Sequence, residues 1–97
     1  MKFGLSSVSI KKINDVINSF PEIDNAVIYG SRAKGNFKPS SDIDITLKGE
    51  KLTLKELNKV ALMLDDLLLP QKFDISIYRQ ISNPDLIEHI DRVGQRL

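Results

Sequence analysis

The chain has 97 residues, 41% of them apolar, with 14 basic and 13 acidic side chains and a formal net charge of +1. That length implies one domain, residues 1–97, able to bury about 65% of its unfolded surface around one modest core. The absence of cysteine excludes disulfide frameworks, thiolate metal sites and thiol nucleophiles, and a charge this close to zero argues against a general nucleic-acid coat. No apolar run approaches the roughly 20 residues that span a bilayer, and Met-Lys-Phe-Gly opens no signal peptide. A soluble, cytoplasmic protein without membrane contact is the expectation.

Ile10, Ile13, Ile17 and Phe20 recur at helical spacing, which predicts a helix over residues 9–20 that Pro21 ends. Ala26, Val27, Ile28 and Tyr29 form a short, largely β-branched run stopped by Gly30, a buried strand. Residues 31–41, rich in Ser, Gly, Lys and Pro, read as a loop with one helical turn at its start. Residues 42–47 then alternate, with Ile43, Ile45 and Leu47 on one face and Asp42, Asp44 and Thr46 on the other.

Thr53 and Glu56 carry a capping-box signature that opens a second long helix. Leu57, Val60, Ala61, Leu64 and Leu68 are its expected apolar stripe, and it stops before Pro70. Residues 72–78 alternate again, with Phe73, Ile75 and Ile77 inward and Asp74, Ser76 and Tyr78 outward. Asn83 and Pro84 begin a last helix bearing Leu86, Ile87, Ile90 and Val93. The order α-β-loop-β-α-β-α predicts an α/β fold, a small mixed sheet of three or more strands with flanking helices.

A helix joins the second and third strands, so a right-handed crossover makes them parallel. Asp44 and Asp74 then leave the same end of the sheet. A connection of about a dozen residues lets the first strand run antiparallel to the second, which brings Gly30 and Ser31 beside Asp42. Two Asp residues at i and i+2 stand roughly 6.5–7 Å apart on one face of a strand. With a third carboxylate they can hold two hard divalent cations about 3.5–4 Å apart. Without metal they repel, and at least one is driven toward protonation. An oxygen-only ligand set selects Mg²⁺ or Mn²⁺ over Zn²⁺. Gly30 allows backbone to approach an anion, Ser31 adds a hydroxyl donor, and Arg32, Lys34 and Lys38 supply positive charge. Donors for terminal phosphates beside carboxylates for metal are what a nucleoside triphosphate needs.

The stretch Gly30-Ser31-Arg32-Ala33-Lys34-Gly35, followed by Ser41-Asp42-Ile43-Asp44-Ile45, resembles the signature of the polymerase-beta-like nucleotidyltransferase superfamily, most closely its minimal, MNT-type group. A Gly-Ser pair and an Asp-x-Asp at one fixed interval arise by chance in roughly one chain in a thousand of this length. The resemblance implies a polymerase-beta palm-like fold. It makes Asp42, Asp44 and Asp74 catalytic residues and ligands of two Mg²⁺ ions, with Asp74 a metal ligand or general base. Gly30 and Ser31 become the phosphate clamp, and Arg32 a phosphate or structural contact.

It further implies transfer of a nucleoside monophosphate, AMP from ATP, onto a hydroxyl. Larger relatives add a helical substrate domain, so the acceptor here is expected on another polypeptide. MNT-type chains resemble antitoxins that modify a tyrosine of an all-helical HEPN-type ribonuclease toxin, and no direct nucleic-acid contact is expected. The competing readings are a nucleotide-binding subunit of a two-subunit transferase acting on a small molecule, and a non-catalytic module that covers its partner.

Other residues read more plainly. Lys34 and Lys38 are solvated loop lysines, and Tyr78 and Arg79 are strand-end packing. His89, near Glu88 and Asp91, reads as a surface residue without a role. Leu62 and Leu69 fall off the main stripe and hint at a contact with another chain.

Overall fold

The computed structural model describes residues 2–97. Ser6 opens the first helix, α1 (Ser7–Asn18), because its hydroxyl accepts the Ser9 N–H at 3.1 Å and satisfies a free first-turn donor. The helix therefore starts and ends two residues earlier than its apolar spacing suggests. Phe20 still packs on the core from beyond the last turn. Strand β1 (Asn25–Tyr29) leads directly into a five-residue helix, α2 (Gly30–Lys34). Strand β2 (Ile43–Lys48) and helix α3 (Leu54–Asp65) follow, then strand β3 (Phe73–Ile77), helix α4 (Pro84–Val93) and a short strand β4 (Gln95–Arg96).

Both helix caps read from the sequence are present. The Thr53 N–H donates to the Glu56 carboxylate at 3.0 Å, and the Thr53 hydroxyl bonds the same carboxylate. Asn83 Oδ1 accepts the Asp85 N–H at 2.9 Å, with Pro84 at the first helical position.

The four strands form one mixed sheet in the order β3-β2-β1-β4. β1 runs antiparallel to β2 and β4, and β2 runs parallel to β3. Strand alternation divides this sheet into two chemically different faces. Ala26, Ile28, Ile43, Ile45, Leu47 and Ile77 point to one side, where Ile13, Val16 and Ile17 of α1 and Val60 and Leu64 of α3 cover them. Val27, Tyr29, Asp44, Thr46, Asp74 and Ser76 occupy the other face, and there α4 packs against α2 and β1. No helix of the described residues is long and apolar enough to cross a membrane.

The structure changes three expectations. Strands β2 and β3 each begin one residue later than their alternation suggests, so Asp42 precedes β2 rather than belonging to it. Leu68 is not on the α3 stripe. It lies beyond the helix, 87% exposed, at φ +57°, while Leu67 and Leu69 on either side turn toward the core. Leu69 is thus a core residue rather than a partner contact, whereas Leu62 does stand exposed. β4 is two residues long, too short to show any alternation in the sequence.

A left-handed backbone costs an L-residue about 1–2 kcal/mol, and Leu68 recovers little by burial. Glycine removes that cost but loses more freedom on folding. Leu68→Gly should therefore raise stability by about 0.5–1 kcal/mol, read as a higher urea midpoint at unchanged m-value.

Candidate active site

The register across the sheet assembles the site. Tyr29 of β1 stands opposite Asp44 of β2, and Asp44 stands opposite Asp74 of β3. Directly paired residues share a face, so these three side chains form one row across neighbouring strands. Asp42, two residues before Asp44 along the chain, lies one step outside this row, beyond the strand end. The next row inward holds Val27, Thr46 and Ser76, in which the Ser76 hydroxyl donates to Thr46 Oγ1 at 2.9 Å.

Asp44 is the electrostatic centre of this rim. Burial and the charges of Asp74 and Asp42 push its pKa up from 3.8 to about 6, and the Arg32 charge offsets only part of that rise. Asp42 and Asp74 are exposed, whereas Asp44 is half-buried. Tyr29 is buried beside the same charges: burial above all, then Asp74 and Asp44, raise the pKa of its phenol and keep it protonated, while Ser76 opposes the shift.

Gly30 lies against Asp44. Its φ is +72°, and a Cβ placed there would collide with Asp44 Oδ2 and sit 3.3 Å from Asp44 Cγ. Both conditions require glycine. Ser31 follows Gly30 as the second residue of the α2 turn, and its hydroxyl makes no hydrogen bond among the described residues. The first N–H groups of such a turn have no partner within the helix. The exception is Gly30 itself, whose N–H donates to His89 Nε2 on α4 at 3.1 Å.

Arg32 sits on the same turn but faces inward, 2% exposed. Its Nε and Nη2 donate to the Ser41 carbonyl at 3.1 and 2.9 Å. Nη2 also reaches the Pro39 carbonyl at 3.1 Å, and Nη1 the Phe3 carbonyl at 3.0 Å. The Phe37 ring lies 5.1 Å from the guanidinium carbon. Of the two roles the sequence left open for Arg32, its hydrogen bonds describe the structural one: a fork joining the amino-terminal turn, α2 and the peptide that immediately precedes Asp42. Burial lowers its pKa, and the Asp44 charge partly restores it. Lys34 and Lys38 are exposed.

Gly30, Asp44 and Asp74 thus meet at one rim, and Ser31 and Asp42 adjoin it along the chain. Among the described residues no group of three or more His, Cys, Asp or Glu side chains is placed to hold a metal ion. The donor chemistry still fits a hard divalent cation. All the ligand atoms are oxygen, two carboxylates stand in register on adjacent strands, and among the described residues Asp44 has no ion pair to neutralise it.

His89 and Tyr29 were not foreseen as parts of the site. The charged neighbours of His89 suggest a surface residue, yet its helical phase is informative: it lies three residues after Leu86 and four before Val93, beside the apolar stripe. Tyr78 and Arg79 do pack at the strand end, Tyr78 Oη donating to Asp91 at 2.6 Å and Arg79 to the Gly49 carbonyl at 3.3 Å.

Two expectations follow. In metal-free protein, Asp44 binds its proton more tightly folded than unfolded. Its contribution to stability is complete below pH ~4 and disappears as pH rises through about 6. Urea unfolding between pH 4 and 7 should show that decline, and Asp44→Asn should flatten it. Arg32→Lys leaves a single ammonium where a fork reached three carbonyls, so it should cost about 3 kcal/mol in the same assay.

Residues 11–97 match the family model described as polymerase beta, nucleotidyltransferase. No curated protein matches the chain significantly. Among solved structures, one assigned as a minimal nucleotidyltransferase is 24% identical over 100% of this chain and 97% of its own, with a TM-score of 0.74. A toxin–antitoxin structure with AMP-PNP is 22% identical over 95% of this chain and 72% of that one, with a TM-score of 0.71. A tri-AMPylated HEPN toxin in complex with its MNT antitoxin, from Shewanella oneidensis, supplies a chain 18% identical at the same TM-score of 0.71, covering 95% of this chain and 71% of that one. These likenesses establish the fold, and the family model spans nearly the whole sequence. The chain belongs to the polymerase-beta nucleotidyltransferase family.

Proposed function

We propose that this protein transfers AMP from ATP onto a hydroxyl of a HEPN-type helical partner, in the presence of Mg²⁺, and so acts as the antitoxin of a toxin–antitoxin pair. The observation that carries this reading is the contact of Gly30 backbone with the Asp44 carboxylate, in register with Asp74. It sets a phosphate-compatible turn and a cation-compatible acid row against each other. The toxin–antitoxin neighbours, one of them AMPylated, point to the same class of partner.

Asp42, Asp44 and Asp74 would hold Mg²⁺, which, when bound, neutralises phosphate charge and makes an acceptor hydroxyl easier to deprotonate. The remaining work belongs to the chain. Gly30 lets the turn lie against the Asp44 carboxylate, and Ser31 Oγ with the first free N–H groups of α2 donates to a phosphate oxygen. Arg32 holds the Ser41 peptide, and with it the approach of Asp42. Asp74, exposed at the sheet edge, receives the proton of the acceptor hydroxyl. The oxygen then bonds to the α-phosphorus, the bond from that phosphorus to the bridging oxygen breaks, and pyrophosphate leaves with its electron pair.

The test is incubation of the co-purified complex with Mg²⁺ and ATP labelled at either the α- or the γ-phosphate. The α-label should appear on the partner, with a mass increase of one AMP, and the γ-label should not. Asp44→Asn should reduce transfer by about 10²-fold or more while remaining folded. A folded, partner-bound wild type that transfers no label, or an Asn variant as active as wild type, overturns the reading.

A further inference from the structure

We propose that His89 is a positioning residue for the Gly30–Ser31 turn, holding through one hydrogen bond the backbone on which nucleotide binding depends. This rests on the phosphate-clamp reading above. The turn belongs to a helix of five residues, too short to be stable by itself. Its orientation must come from neighbours. On one side Arg32 ties it to the loop before Asp42. On the other, α4 touches the junction between β1 and α2 at two consecutive residues through the same side chain. His89 Nε2 accepts the Gly30 N–H at 3.1 Å, and the imidazole meets the Tyr29 ring edge-on, with centroids 6.2 Å apart at 78°.

The hydrogen bond is informative because of where it falls. The Gly30 N–H belongs to the peptide that swings the chain from extended Tyr29 (φ −140°) to left-handed Gly30 (φ +72°). Fixing the plane of that peptide fixes where Gly30 lies on Asp44 and where the following N–H groups and Ser31 Oγ aim. To accept, Nε2 must be unprotonated, so the ring is neutral with its hydrogen on Nδ1. α4 is itself anchored at a separate point, by Tyr78 Oη on Asp91. Loss of the imidazole acceptor should therefore loosen the turn without releasing the helix.

Two substitutions separate acceptor from packing. His89→Phe keeps a ring against Tyr29 and removes the acceptor. His89→Gln loses the ring and offers Oε1 near the position of Nε2. The protein in its partner complex is titrated with α,β-methylene-ATP and Mg²⁺, a nucleotide that cannot be transferred, and folded fraction is followed by thermal unfolding. At equal folded fraction, the Phe variant should bind about three- to tenfold more weakly than wild type, the worth of one hydrogen bond, and the Gln variant should recover most of that loss. A merely structural role would lower the unfolding temperature and leave the affinity of the folded fraction unchanged. Independently, ¹⁵N NMR of the wild type should show His89 protonated at Nδ1, with the Gly30 amide resonance displaced in His89→Phe. Wild-type affinity in the Phe variant, failure of Gln to recover affinity, or an Nε2-protonated ring overturns the proposal. If wild type itself binds no nucleotide, the phosphate-clamp reading fails with it, and the NMR result still decides whether the His89–Gly30 bond exists.

Discussion

A half-buried carboxylate between two others is unfavourable taken alone, and the Asp44 position depends on the rest of the molecule to sustain it. Its pKa of about 6 measures the conflict: water is partly excluded and the nearest charges repel. What sustains the position is the opposite face of the same strand. Ile43, Ile45 and Leu47 are fully buried against α1 and α3, and each fully buried aliphatic side chain contributes about 1.5–3 kcal/mol. Asp44 cannot swing away without disturbing the strand that those contacts hold in place.

The surroundings of Asp44 hold it without neutralising it. Arg32 is close enough to be felt electrostatically, yet among the described residues its hydrogen bonds all go to carbonyls. A direct ion pair would draw the carboxylate back to its ordinary pKa and occupy the oxygens a cation needs. The guanidinium instead organises backbone: Phe3, Pro39 and Ser41 converge on it from separate segments. The Ser41 hydroxyl in turn accepts the Lys38 N–H at 2.8 Å, which closes the loop just before Asp42. Arg32 and His89 therefore grip the Gly30–Ser31 turn from opposite sides, one through the loop and one through α4. Gly30 lies between them because nothing larger fits against Asp44.

The parts of this arrangement visible in the sequence are those set by local rules. Alternation in residues 43–47 and 73–77 assigned faces correctly, and the crossover rule made β2 and β3 parallel, which is how Asp44 and Asp74 could be placed together. Thr53, Glu56, Asn83 and Pro84 identified helix starts because caps act within one turn. The residues misread or left open depend on where the chain turns and on distant partners. Leu68 has the spacing of a stripe residue, but the chain leaves the helix before reaching it and turns left-handed there. Arg32 stays undecided between a phosphate and a structural contact until Phe3 and Pro39 are brought to it across the fold. His89 is adjacent in sequence to acids, while the donor it serves is 59 residues away.

The two faces of the sheet also couple stability to chemistry through register. In both Ile43-Asp44-Ile45 and Phe73-Asp74-Ile75, the central acid points to the rim and its neighbours point to the core side. A slip of one residue in the pairing of β3 on β2 would send Asp74 into the apolar layer and bring Phe73 and Ile75 to the acid row. The hydrophobic penalty of that slip is the energy that keeps Asp74 opposite Asp44. Packing far from the rim therefore determines whether the acids meet at all, so substitutions among the buried isoleucines should alter activity through register as well as through folded population. For a chain this small, with only one apolar layer under the sheet, no second core exists among the described residues to take over that task.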